Sequence, residues 1–93
     1  MVKHIVLYNL KPEYEKDSTV KFIASTLEPL VGKIPGLLHL EVRRTFQGMD
    51  FALYSEFESR QAMLDYAQHP LHLAAKDQFF HMLDSRVAAD YDF

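Results

Sequence analysis

The pattern opens with a stretch rich in β-branched and apolar residues, so Val2 to Leu10 (VKHIVLYNL) predicts a strand. Alternation sets Val2, His4, Val6, Tyr8 and Leu10 on one face and Lys3, Ile5, Leu7 and Asn9 on the other. Both faces carry apolar residues, which predicts cover on both sides. Pro12 ends the strand. Asp17 and Ser18 offer N-caps, and apolar residues at 20, 23, 24, 27, 31 and 34 then recur at helical spacing. Pro29 lacks the N–H that would bond back to Ser25 and is expected to bend this helix, which Ile34-Pro35-Gly36 stops.

Leu37 to Phe46 and Asp50 to Phe57 predict two strands joined by the short turn Gln47-Gly48-Met49, an antiparallel hairpin. Leu38, Leu40 and Val42 share a face of the first; Phe51, Leu53 and Phe57 share a face of the second. Ser59 is the expected N-cap of a short helix with the stripe Ala62, Met63, Tyr66 and Ala67. Pro70 suits the first turn of another helix, whose stripe is Leu71, Ala74, Ala75, Gln78, Phe79 and Met82, with His72 at its edge near Lys76. Ser85 to Asp92 predicts a last strand. The order strand, helix, strand, strand, helix pair, strand predicts an α+β class fold: a ferredoxin-like βαββααβ sandwich with a four-stranded antiparallel sheet, formed by residues 1–93 as one domain. One sheet face goes under the helices. The other carries Ile5 and Leu7, which predicts a homodimer packed sheet against sheet.

Composition narrows the function classes. At 93 residues the chain buries only about 60–65% of the surface it exposes when unfolded, which a second subunit would raise. The net charge is −3 and the Lys and Arg residues are scattered, which argues against nucleic acid or an anionic membrane surface as partner. With no cysteine there is no disulfide, zinc-thiolate site or thiol nucleophile. The start lacks a secretory pattern and no apolar run reaches the roughly 20 residues of a membrane span, so a cytoplasmic protein is expected. Proton-transfer chemistry must come from histidine, tyrosine and carboxylate side chains. The Tyr66-Ala67-Gln68-His69-Pro70-Leu71-His72 stretch, His4 and Asp90 supply these from three distant segments.

The segments VKHIVLYNLKP, KIPGLLHLEV, YSEFESRQAM, YAQHPLHLAAKD and SRVAADYDF, in this order and spacing, resemble the stress-responsive α/β-barrel family, also called the dimeric α+β barrel family. The likeness covers essentially the whole chain and implies the fold above and a dimer. Many members have no assigned reaction. The family also includes a plant polyketide cyclase that folds a linear tetraketide by intramolecular aldol condensation. Its catalytic positions resemble His4, Tyr66, His72 and Asp90 here, with Asp90 implied as partner of the His72 ring. Other positions depart from it: Ile23, Ala24 and Leu27 stand where the cyclase has pocket aromatics, Arg86 and Ala88 replace aliphatic residues, and so does Tyr8.

On that reading His72, held by Asp90 with its pKa raised, is the general base, and His4 and Tyr66 bind substrate oxygen. Each has a plainer role: His72 as the partner of a buried aspartate, His4 as a hydrogen-bonded core residue, Tyr66 as packing. His69 precedes proline and suits a helix boundary better than catalysis or an H-x-x-H metal site. Arg86 faces with Ala88 and Asp90 and either forms a salt bridge or receives an anionic ligand group, the salt bridge being the commoner role. His39 and His81 have no such context. Val6, Tyr8, Ile23, Leu27, Leu40, Leu53, Phe79 and Arg86 are expected to line a ligand pocket. Two functions are open: a cofactor-free cyclase, aldolase or isomerase acting on a small carbonyl compound, with no metal or other cofactor, or a non-catalytic homodimer that binds a small ligand or serves a stress-protective role.

Overall fold

A computed structural model describes residues 1–93. Strand β1 (Val2–Leu10) leads to helix α1 (Lys16–Leu27), strands β2 (Leu37–Arg44) and β3 (Phe51–Phe57), helices α2 (Arg60–Gln68) and α3 (Pro70–Asp77), and strand β4 (Leu83–Asp92). The strands form one antiparallel sheet in the order β2-β3-β1-β4, with the helices on one side. This is the ferredoxin-like α+β arrangement that the sequence predicts.

The core forms where the β1 face of Val2, Val6 and Leu10 meets the α1 stripe of Val20, Ile23 and Leu27 and the β3 face of Phe51, Leu53 and Phe57. Phe51, Phe57 and Ile23 are fully enclosed. Burying side chains of this size stabilises by about 1.5–3 kcal/mol each, before the entropy of ordering them is subtracted.

Four details depart from the sequence pattern. Glu15 caps α1 in place of Asp17 or Ser18, its carboxylate accepting from the backbone N–H groups of Asp17 and Ser18 at 2.7 and 2.8 Å. Pro29 does not bend a longer helix: α1 stops at Leu27 and a single tight turn, Glu28–Leu30, follows. Val31 therefore leaves the buried stripe, whereas Ile34 returns to the core. In β2 the pairing shifts between Leu37 and His39, so Leu37 faces Phe57 in the core and Leu38 is exposed. A bulge of this kind resets alternation by one residue. Finally, β2 ends at Arg44 and leaves Phe46 in the hairpin turn, wholly exposed.

The register of β4 on β1 has the largest consequence. Val2 faces Asp92, His4 faces Asp90, Val6 faces Ala88 and Tyr8 faces Arg86. Asp90 and Arg86 thereby join His4 and Tyr8 on the helix side of the sheet. On the other side no helix covers Ile5, Leu7, Val87, Ala89 and Tyr91; Val87 and Tyr91 are exposed.

Candidate functional site

Helices α2 and α3 bring Tyr66 and His72 together because one residue serves both helix ends. His69 is extended, as a residue before proline should be, and closes α2 while its Nδ1 accepts the Leu71 N–H at 3.1 Å. The boundary role expected of His69 is thus the observed one. Pro70 then opens α3 and His72 falls in its first turn. The His72 ring packs 4.2 Å, centroid to centroid, from Tyr66, and Tyr66 packs 5.1 Å from Phe57. No three His, Asp or Glu side chains converge as a metal-ligand set.

Asp90 does not hold His72. Its carboxylate hydrogen-bonds His4 Nδ1, the residue opposite it on β1. His72 Nδ1–H instead donates to the Ala67 carbonyl at 3.2 Å. The expected His72–Asp90 pair fails because antiparallel register, fixed by the β4–β1 ladder, gives the carboxylate to the neighbouring strand. The His72 pKa is accordingly lowered, not raised: burial penalises the imidazolium, the Ala67 carbonyl opposes this, and Lys76, His4 and His69 add to the lowering. Burial also pushes the Tyr66 phenol up, well beyond the ordinary tyrosine range. Tyr66 is therefore a neutral O–H donor, and its hydroxyl has no protein partner yet is not sealed from solvent.

The Asp90 carboxylate engages Nδ1 of His4, and Nε2 has no protein partner. A cleft of about 250 Å³ opens beside it between the α2–α3 pair and the β1–β4 half of the sheet. His4, Val6, Tyr8, Leu53, Tyr66, His72 and Arg86 line it, seven of the residues singled out from sequence. A second lobe of about 270 Å³ shares Tyr8, Leu53, His72, Lys76 and Arg86 with the first and adds Leu27 and Phe79. Ile23 and Leu40 line neither lobe; they are core residues, 0% and 5% exposed. The helical stripe and strand alternation mark them as inward-facing but do not separate core from cavity wall.

Arg86 forms no salt bridge, contrary to the commoner role; its Nε–H points to the Tyr8 hydroxyl at 3.4 Å. The sequence reading missed Lys76 as a lining residue, although its place four residues after His72 on one helix puts the two on one face. It also missed His81, which lines the second lobe and meets the Tyr14 ring edge-on at 5.9 Å. Nothing in the local sequence of His81 signals this.

The fold and cleft define a ferredoxin-like α+β domain with a cavity between helices and sheet. The chain belongs to the family described as the stress responsive A/B barrel domain, whose model matches residues 2–93. Among solved structures, a dimeric protein of unknown function from Bacteroides fragilis shares 33% identity, with a TM-score of 0.88 over 99% of this chain and 95% of that one. A protein from Arabidopsis thaliana shares 24% identity, with a TM-score of 0.86 over 99% and 94% of the two chains. The hydroxynitrile lyase from Passiflora edulis shares 20%, with a TM-score of 0.81 over 97% and 90%. No curated protein matches the chain. No helix is long and apolar enough to cross a membrane.

Proposed function

We propose that this chain is a homodimeric enzyme that removes and returns a proton next to the carbonyl of a small molecule, with His4 as general base set by Asp90. The observation that carries this reading is the Asp90–His4 hydrogen bond beside a cleft that also holds Tyr66 and His72. A carboxylate on Nδ1 and a free Nε2 is the arrangement that positions an imidazole to accept a proton. His4 Nε2 would take the proton from the carbon. The C–H electron pair becomes an enolate, and its oxygen receives the Tyr66 O–H as hydrogen-bond donor. His72, neutral near pH 7, would orient the same oxygen or a second polar group. Return of the proton gives isomerisation; attack of the enolate carbon on a second carbonyl gives aldol or cyclisation chemistry.

The likeness of His4, Tyr66, His72 and Asp90 to the plant polyketide cyclase positions supports the residue set, with Asp90 reassigned to His4. The fold alone does not choose a reaction, since a hydroxynitrile lyase shares it. Dimerisation through the open sheet face is supported by the exposed apolar residues there and by relatives from Bacteroides fragilis and Thermobifida fusca that are described as dimeric.

Hydrogen–deuterium exchange at the α-carbon of small ketones and 1,3-diketones in D₂O, followed by proton NMR, tests the proposal. Wild type should accelerate exchange and His4→Gln should abolish the acceleration while circular dichroism stays unchanged. Equal acceleration by the two proteins would overturn the role of His4, and no acceleration by either would leave the cleft as a binding site only.

A further inference from the structure

The two lobes of the cleft carry an excess of positive charge on a chain whose net charge is −3. Lys11, Lys76 and Arg86 line them against the carboxylate of Asp84, with that of Asp90 engaged by His4, and with His72 and His81 as the other titratable nitrogens. The arginines show that this excess is not general. Arg43 pairs with Glu28, Arg44 with Asp17 and Arg60 with Asp92. Arg86 alone among the four meets no carboxylate, and neither Lys76 nor Lys11 is ion-paired. The Arg86 Nε–H points to the Tyr8 hydroxyl, and both terminal nitrogens are without partners. A guanidinium with its terminal nitrogens free presents the fork that binds a carboxylate through two parallel hydrogen bonds. Lys76 lines both lobes with Arg86, its Nζ 5.0 Å from the Phe80 ring centre.

The sheet register places this cationic end relative to the base. Tyr8 and Arg86 form one cross-strand row, His4 and Asp90 another, with Val6 and Ala88 between them. Four residues along a strand span about 13 Å between backbone rows, and the side chains converge from both ends over the Val6 floor. A ligand that uses both ends has an anionic head, a short apolar stem and a carbonyl.

Resting on the reading of His4 as base, we infer that the substrate is a keto acid: its carboxylate is bound by Arg86 and Lys76 and its carbonyl is presented to Tyr66 and His4. The anion takes no part in the proton transfer. It fixes which α-carbon meets the imidazole.

The probe pair is 5-oxohexanoate and its methyl ester, which differ in the charge of the head and keep the ketone. Binding is followed by chemical-shift titration and exchange by deuterium incorporation. Wild type should bind the acid at least tenfold more tightly than the ester, with the preference shrinking as salt rises. Arg86→Gln should shrink the preference for the acid over the ester several-fold, and Arg86→Gln combined with Lys76→Gln should abolish it; Arg86→Lys should recover only part of the difference. Equal affinity of wild type for acid and ester, equal losses for both in Arg86→Gln, or no saturable binding of the acid overturns the inference. The wild-type comparison needs no variant to fold. His4-dependent exchange of the ester without any preference for the acid would remove the keto acid and keep the base. An Arg86-dependent preference for the acid without His4-dependent exchange would do the reverse.

Discussion

His4 and Asp90 stand opposite one another on adjacent antiparallel strands, and the imidazole Nδ1 of the first meets the carboxylate of the second. Because both belong to the sheet, their separation is set by the backbone ladder and not by the packing of a helix. Asp90→Asn keeps the size of the side chain and removes its charge. Its α-proton exchange rate should fall about 10²- to 10⁴-fold, the usual contribution of a positioned acid–base group, with unchanged thermal stability as the control.

Acid should weaken the fold through His72. The folded state holds a ring whose proton affinity is lowered, chiefly by burial, whereas in the unfolded chain it titrates near the ordinary value of 6.5. As pH falls the unfolded state takes up the proton first, so the stability present above about pH 6.5 is lost as pH drops through the lower folded value. Urea unfolding midpoints between pH 8 and 5 should decline, and His72→Phe should flatten part of that decline.

Gly36 lies in the turn before β2 with φ +82°, and a Cβ there would come within 2.6 Å of the Ala62 Cβ on α2. Gly36→Ala therefore meets both backbone strain and a clash with a neighbour that has no flexible end. The loss should be about 1–3 kcal/mol in chemical denaturation. Adding Ala62→Gly relieves the contact but not the strain, so recovery should be partial.

Phe57 is fully buried and connects the core to the site, touching Tyr66 and lying edge-on to His4 at 6.3 Å. Phe57→Ala should cost about 3–5 kcal/mol, a large part of the stability of a domain this small. Phe57→Leu should fold and still exchange protons more slowly than wild type, since the Tyr66 ring loses its support.

On the uncovered sheet face, Leu7 and Val87 are direct cross-strand partners. A carboxylate there would be buried without a partner if two sheets pack together. Leu7→Glu should convert the proposed dimer to a monomer by light scattering with little change in the circular dichroism of each subunit. An unchanged mass would place any subunit contact elsewhere.

Much of this was legible in the order of elements. Richness in β-branched and apolar residues marks β1, a shared apolar face marks β3, and Ser59 and Pro70 mark the starts of α2 and α3. Failures came where one residue changes the count: alternation cannot announce the bulge at Leu38, and helical spacing carried Val31 past the stop that Pro29 imposes. The site residues were visible as types, and seven of them line one cleft. Their pairing was not. Whether Asp90 serves His72 or His4 depends on how β4 slides along β1, a long-range property absent from local pattern. Ile23 and Leu40 show the remaining gap, since apolar residues in the core and at a cavity wall share one signature.

The position of β4 at the margin of the sheet has an evolutionary corollary. Sliding that strand by two residues preserves every inward and outward orientation, yet it would give His4 either Asp92 or Ala88 as its neighbour. A short insertion or deletion ahead of Ser85 is therefore a route by which descendants of this scaffold gain, exchange or forfeit chemistry without disturbing the hydrophobic interior.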